Sequence, residues 1–261
     1  MQVAFVSVLV FYLMATVFYV LRLIVGKPLL SAIGFRIVLL AAAVQSVVLA
    51  FHWHNTRDAL FTTYLDAFQV SALFLAVVFI ALCFAKRFYG SGPFFVTLID
   101  VFCIVSLTHQ NPYSITSTLP GFGFLYFHLA SIFLSLSVFS LGLVTAIMYL
   151  IVEYQLKSKR FVGLAAKFPS LTVLEEIHDK ALYFGFILFT LAIITGAGYS
   201  KIRTHHYLDD DPKQVLSVLG WLFFAVVLNF RVRRGWLGHK GVILSLVGFT
   251  GMFFLFFIGI K

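Results

Sequence analysis

Residues 123–152 read GFLYFHLASIFLSLSVFSLGLVTAIMYLIV, thirty positions without an aspartate, glutamate, lysine or arginine. The hydrocarbon core of a bilayer is about 30 Å thick and is crossed by roughly 20 apolar residues rising 1.5 Å each. The stretch therefore predicts a membrane-spanning helix. Its apolar residues run together instead of alternating, which excludes a transmembrane barrel. Working outward, seven more runs of the same kind stand near 3–24, 31–51, 64–85, 93–110, 181–199, 214–231 and 241–260. Gly26-Lys27-Pro28, Gly90-Ser91-Gly92-Pro93, Pro112, Pro120-Gly121, Pro169, Pro212 and Gly235 separate them, as helix breakers should. The expectation is an all-α polytopic membrane helix bundle of about eight spans, forming a single integral membrane domain over 1–261.

Composition excludes the main rivals. Of 261 residues, 61% are apolar and only 11% charged, against about 25% charged in a soluble domain. So few charges leave a water-facing surface uncovered. Disordered chains are poor in aromatics, whereas 18% of this one is aromatic, including 32 phenylalanines. The stretch from Met1 to Leu21 has no basic leading region and is long enough to span, so it reads as a helix and not a cleaved signal. Cys83 and Cys103 both lie inside apolar runs. They read as small packing residues, with a redox pair or metal site as the alternative.

The formal charge of +9 does not call for nucleic acid, because basic residues decorate the cytoplasmic loops of membrane proteins. Counted over alternate loops and flanks, fourteen of the nineteen lysines and arginines fall on one side. That places both termini outside. The longest inner loop, 153–180, carries Thr172 and Glu175 at capping-box spacing and Leu171, Leu174, Ile177 and Ala181 at helical spacing. It predicts a short interfacial helix leading into the sixth span, or a docking site for a cytoplasmic partner. No internal repeat stands out.

Histidine does not follow the cations. His52, His54, His109, His128, His205 and His206 fall on the outer side, and only His178 and His239 on the inner. His128 lies about five residues into its span, and polar residues at such depth are candidates for function. Neutral imidazole is a strong ligand for iron. His52 ends its helix at comparable height, so the two imidazoles could hold a haem iron axially. The alternative is that each merely hydrogen-bonds a neighbour. No His-Glu-x-x-His or Cys-x-x-Cys spacing points to zinc. Asp66 lies near the outer end of its span and Asp100 at mid-span. Asp100 reads as a proton relay or as a hydrogen-bonded packing residue.

The segment from Tyr199 to Lys213 reads YSKIRTHHYLDDDPK, preceded by Thr195-Gly196-Ala197-Gly198. Trp221-Leu222, Leu228-Asn229-Phe230-Arg231 and Gly235-Trp236-Leu237-Gly238-His239-Lys240 follow it. Upstream, His128 opens a long span ending Glu153-Tyr154-Gln155-Leu156-Lys157-Ser158-Lys159, and Pro169-Ser170-Leu171 with Glu175 leads to Gly185-Phe186. As an ordered set, over roughly residues 120–250, this resembles the cytochrome c assembly family of CcsA, CcmC and HemX type. The resemblance implies haem handling: an outer loop supports haem between histidines and presents it to apocytochrome c outside the membrane. It implies His128 as the external histidine and Asp211-Pro212-Lys213 as the end of that loop. Lys201, Arg203 and Lys213 are cations for the propionates. The loop has no tryptophan, Asn229 stands where several members have a histidine, and no second external histidine follows up to Lys261. The resemblance is thus to a divergent, HemX-like member, with His205 and His206 as replacement ligands.

The expected function is a membrane haem-binding protein of cytochrome c biogenesis, delivering or supplying a b-type haem without catalysis of its own. Its expected site residues are His128, His52, His205, His206, Asp211 and Lys213, with His128 and His52 on the iron. Expected partners are haem, the lipid bilayer, and apocytochrome c or other maturation proteins, with no nucleic acid. The expected location is the bacterial cytoplasmic membrane. Two rivals are a regulatory or scaffold protein without haem, and an anchor subunit passing electrons through b-type haem.

Overall fold

In hydrocarbon every backbone N–H and C=O must find its partner within the protein, so apolar runs of this length fold as helices. The computed structural model describes residues 2–56, 63–86, 88–108, 121–158, 168–207, 212–234 and 238–259. Its long helices are α1 (Gln2–Val25), α2 (Pro28–Thr56), α3 (Tyr64–Lys86), α4 (Gly92–Thr108), α5 (Phe122–Lys157), α6 (Leu171–Thr204), α7 (Pro212–Arg234) and α8 (His239–Gly259). A 3-10 turn at Phe88–Ser91 leads into α4. Among the described residues there is no strand, and seven helices are long and apolar enough to cross a membrane. The chain is an integral membrane protein.

Local chemistry sets the helix ends. Pro28 and Pro212 open α2 and α7, where the missing N–H costs nothing. Gly26, at φ 79°, closes α1 by donating its N–H to the Arg22 carbonyl at 2.8 Å. Thr63 caps α3: the Asp66 N–H donates to its Oγ1 at 3.1 Å, and its hydroxyl donates to Asp66 Oδ2 at 2.8 Å.

At α6 the structure corrects the sequence reading. The capping residue is Ser170, whose Oγ accepts the Val173 N–H at 3.4 Å, and not Thr172. Glu175 instead accepts the Gly238 N–H, fixing the turn that opens α8. The expected separate interfacial helix is the first part of one continuous 34-residue helix. No glycine or proline stands between Leu171 and Phe184 to interrupt it.

The chain divides into two compact units, one of Met1–Ser114 and Ile151–Val173, the other of Ile115–Leu150 and Leu174–Lys261. In the first, a buried polar ladder takes one side chain from each of four helices. Tyr12 of α1 donates to Gln45 Oε1 at 2.8 Å, and Gln45 Nε2 of α2 donates to Gln69 Oε1 at 2.7 Å. Gln69 Nε2 of α3 then donates to Ser106 Oγ of α4 at 2.7 Å. Thr16 donates to Asp100 Oδ2 at 2.6 Å, so the mid-span carboxyl is hydrogen-bonded across α1 and α4. Cys83 and Cys103 are free and buried.

The second unit is built on Phe139, Leu182, Phe189, Ala192, Phe224, Val227 and Phe249. Phe139 stacks on Phe224 with ring centroids 4.6 Å apart. Gly185 lets Phe139 lie against α6, because a Cβ there would meet its ring at 2.5 Å. Trp221 Nε1 donates to Thr190 Oγ1 at 2.9 Å, tying α7 to α6.

Candidate functional site: an oriented imidazole against a glycine-bearing helix

His128 is the seventh residue of α5, about 9 Å along the helix from its first residue. Its ring lies on α6 over Gly196. A Cβ at that glycine would stand 2.8 Å from His128 Nδ1 and 2.9 Å from Cε1. Two residues on, Gly198 makes the same allowance for Phe124, whose ring would be met at 2.7 Å. The Thr195-Gly196-Ala197-Gly198 segment thus removes two side chains so that two rings of α5 can approach the helix closely. Composition alone pointed to a glycine-rich span end but not to which rings it admits.

His128 Nδ1 lies 2.7 Å from the Ala192 carbonyl oxygen. A carbonyl can only accept, so the proton sits on Nδ1 and Nε2 carries the lone pair. An imidazole that donates one ring N–H to a backbone carbonyl, with the other nitrogen bearing a lone pair, is arranged as metal-ligating histidines are. The orienting group is rigid: Ala192 belongs to the core of its unit.

His52, on α2, belongs to the first unit. Its Nε2 is 3.2 Å from Asp66 Oδ1 at the start of α3, and Phe5 meets its ring edge-on at 5.7 Å. The carboxylate is itself held by Thr63. This pairing of the outer acid with the outer histidine was not foreseen from the sequence; the acid three residues after a threonine at the head of a span was its signal.

His205 and His206 are exposed at the end of α6. His205 terminates that helix in the left-handed region, at φ 66°, and its carbonyl accepts Lys201 Nζ at 2.6 Å. Lys201 also lies over the Tyr207 ring, 5.1 Å from its centroid. From Gly196, over which the His128 ring lies, to His205 is about 13 Å by helical rise, so neither imidazole of this pair is in contact with His128. Lys213 is in the first turn of α7. Asp211 and His109 lie outside the described residues. His54 is exposed.

His178, read as part of an inner loop, is fully buried in the second unit. Its Nδ1 donates to the Gly142 carbonyl at 3.1 Å, and Phe249 packs edge-on against it. Beside it Arg231 pairs with Asp179. No group of three or more metal-ligating side chains occurs among the described residues.

Residues 2–259 match the family described as cytochrome c assembly protein. The cytochrome c biogenesis protein CcsA of Guillardia theta is 25% identical over 238 residues, 84% of this chain and 79% of that protein. The protein of the same name from Chlamydomonas reinhardtii is 29% identical over 133 residues, 51% of this chain and 36% of the relative. That of Synechocystis is 38% identical over 77 residues, 30% of this chain and 23% of the relative. With the match running through all eight long helices, the chain belongs to the cytochrome c assembly protein family.

Proposed function

We propose that this chain handles haem for cytochrome c assembly, with His128 Nε2 as an iron ligand at the outer end of the second unit. The observation that carries the reading is the 2.7 Å hydrogen bond from His128 Nδ1 to the Ala192 carbonyl. It fixes the tautomer that an iron ligand needs. The haem, held without covalent attachment and so of b type, supplies an iron open to imidazole and two propionates. Family membership and the CcsA relatives support haem and maturation proteins as partners, and apocytochrome c as the acceptor. The chain's own residues bind and orient; haem supply or delivery, without formation of thioether bonds, is the role proposed. The basic residues, fourteen against five, support an orientation with both termini outside a bacterial cytoplasmic membrane.

Purified protein supplemented with haem is expected to show a Soret band that His128→Ala loses and that free imidazole restores. Single replacements of His52, His205, His206 and Lys213 report whether any of them supplies a further contact. A preparation that stays colourless with excess haem overturns the proposal and favours a scaffold without haem. Reduction of a retained haem by quinol favours the electron-transfer anchor.

A further inference from the structure

A cavity in the first unit has no histidine in its lining. It holds about 470 Å³, within the range of small-molecule sites. The end of α1, the start of α2, the 3-10 turn and Phe168 form its walls. Two guanidinium groups line it, Arg22 from the last turn of α1 and Arg36 from the third turn of α2, and among the described residues no acid does. Arg22 Nη1 is buried without a hydrogen-bond partner among the described residues. A buried guanidinium N–H left in this condition is costly, so the cavity suits an acceptor that the described residues do not themselves provide.

The positive field is reinforced. The first turn of α2 presents the positive end of its dipole, and the sequence has no acid before Asp58. Phe35 and Tyr89, edge to face at 5.0 Å, form an aromatic wall. On either side of the α1–α2 turn, Ile24 and Leu29 are 76% and 66% exposed. Apolar side chains beside a cationic cavity suit a ligand with an anionic head and hydrocarbon tails.

We propose that this cavity binds a phosphate group, that of an anionic phospholipid, through Arg22 and Arg36. Bidentate guanidinium contacts are the strong form of phosphate recognition.

The test uses the full chain in detergent with phosphatidylglycerol or phosphatidylcholine, counting retained lipid by native mass spectrometry. Phosphatidylglycerol is expected to be retained about tenfold better, and the double variant Arg22→Gln/Arg36→Gln to lose that preference. A charge-matched control, Lys157→Gln/Lys180→Gln, removes two exposed lysines and is expected to keep it. Inorganic phosphate at millimolar concentration separates the sources: no displacement of the lipid identifies the headgroup as ligand, and displacement identifies free phosphate. Equal retention of the two lipids, or equal loss in both double variants, overturns the proposal. Should the arginine variant not fold, phosphatidylglycerol with a photoreactive headgroup decides on the wild-type chain. Labelling is expected within residues 22–36 or 88–91, and labelling confined elsewhere refutes the site.

Discussion

Gly196→Ala separates the positioning of His128 from its presence. The added methyl would lie 2.8 Å from Nδ1, whereas ordinary contact begins at 3.4 Å. The imidazole must therefore retreat by about 0.6 Å, which exceeds the roughly 0.5 Å within which a ligand constellation stays productive. The retreat also strains the 2.7 Å bond to Ala192, worth about 1 kcal/mol net. Against this, alanine is favoured over glycine within a helix by about 0.8–1.0 kcal/mol. Stability should then change by less than about 1 kcal/mol. Haem affinity should fall about tenfold or more, the equivalent of 1.4 kcal/mol. Haem titration followed at the Soret band, beside thermal unfolding of the haem-free protein, reads both quantities. Gly123→Ala is the control, since nothing lies within 4 Å of its Cβ position. A Gly196→Ala protein that titrates with haem as the wild type does would refute the argument that α6 sets this imidazole.

In the same unit, Gly185→Ala drives a methyl to 2.5 Å from the Phe139 ring, and it should destabilise by about 1–3 kcal/mol in detergent unfolding. Gln69→Leu removes the centre of the polar ladder and leaves Gln45 Nε2 only the backbone carbonyl of residue 69, at 3.1 Å, for a loss of about 1–3 kcal/mol. Gln45→Leu/Gln69→Leu should lose less than the two single changes together, measured as a double-mutant cycle. Asp179→Ala leaves Arg231, 4% exposed, without its partner and should cost about 3–5 kcal/mol. Asp179→Ala/Arg231→Met should recover part of that in the same unfolding assay.

The spans were legible because they depend on composition over twenty residues, and a bilayer permits one answer to such a composition. The structure begins and ends α1, α3, α4 and α8 within two residues of the sequence boundaries. Where competition was local the reading slipped: Ser170 and Thr172 both offer a capping hydroxyl, and only the direction of the chain before α6 decides between them. Tertiary pairing was less legible. Gln45, Gln69 and Ser106 are visible as polar residues in apolar runs, but which of them meet depends on the rotation of four helices. The depth of His128 was readable. The carbonyl that orients it comes from a residue 64 positions away and was not. His205 and His206 drew attention as a pair, yet His205 serves to stop a helix and both follow the last residue of α6.

The ladder of Tyr12, Gln45, Gln69 and Ser106 also limits how this unit can assemble. Lipid offers these amides and hydroxyls no alternative acceptors, so turning or sliding one helix by a single step would leave amide hydrogens facing hydrocarbon. The first four segments consequently lock at one azimuth and one depth, like tumblers in a barrel lock, before oily packing alone could choose among near-equal arrangements.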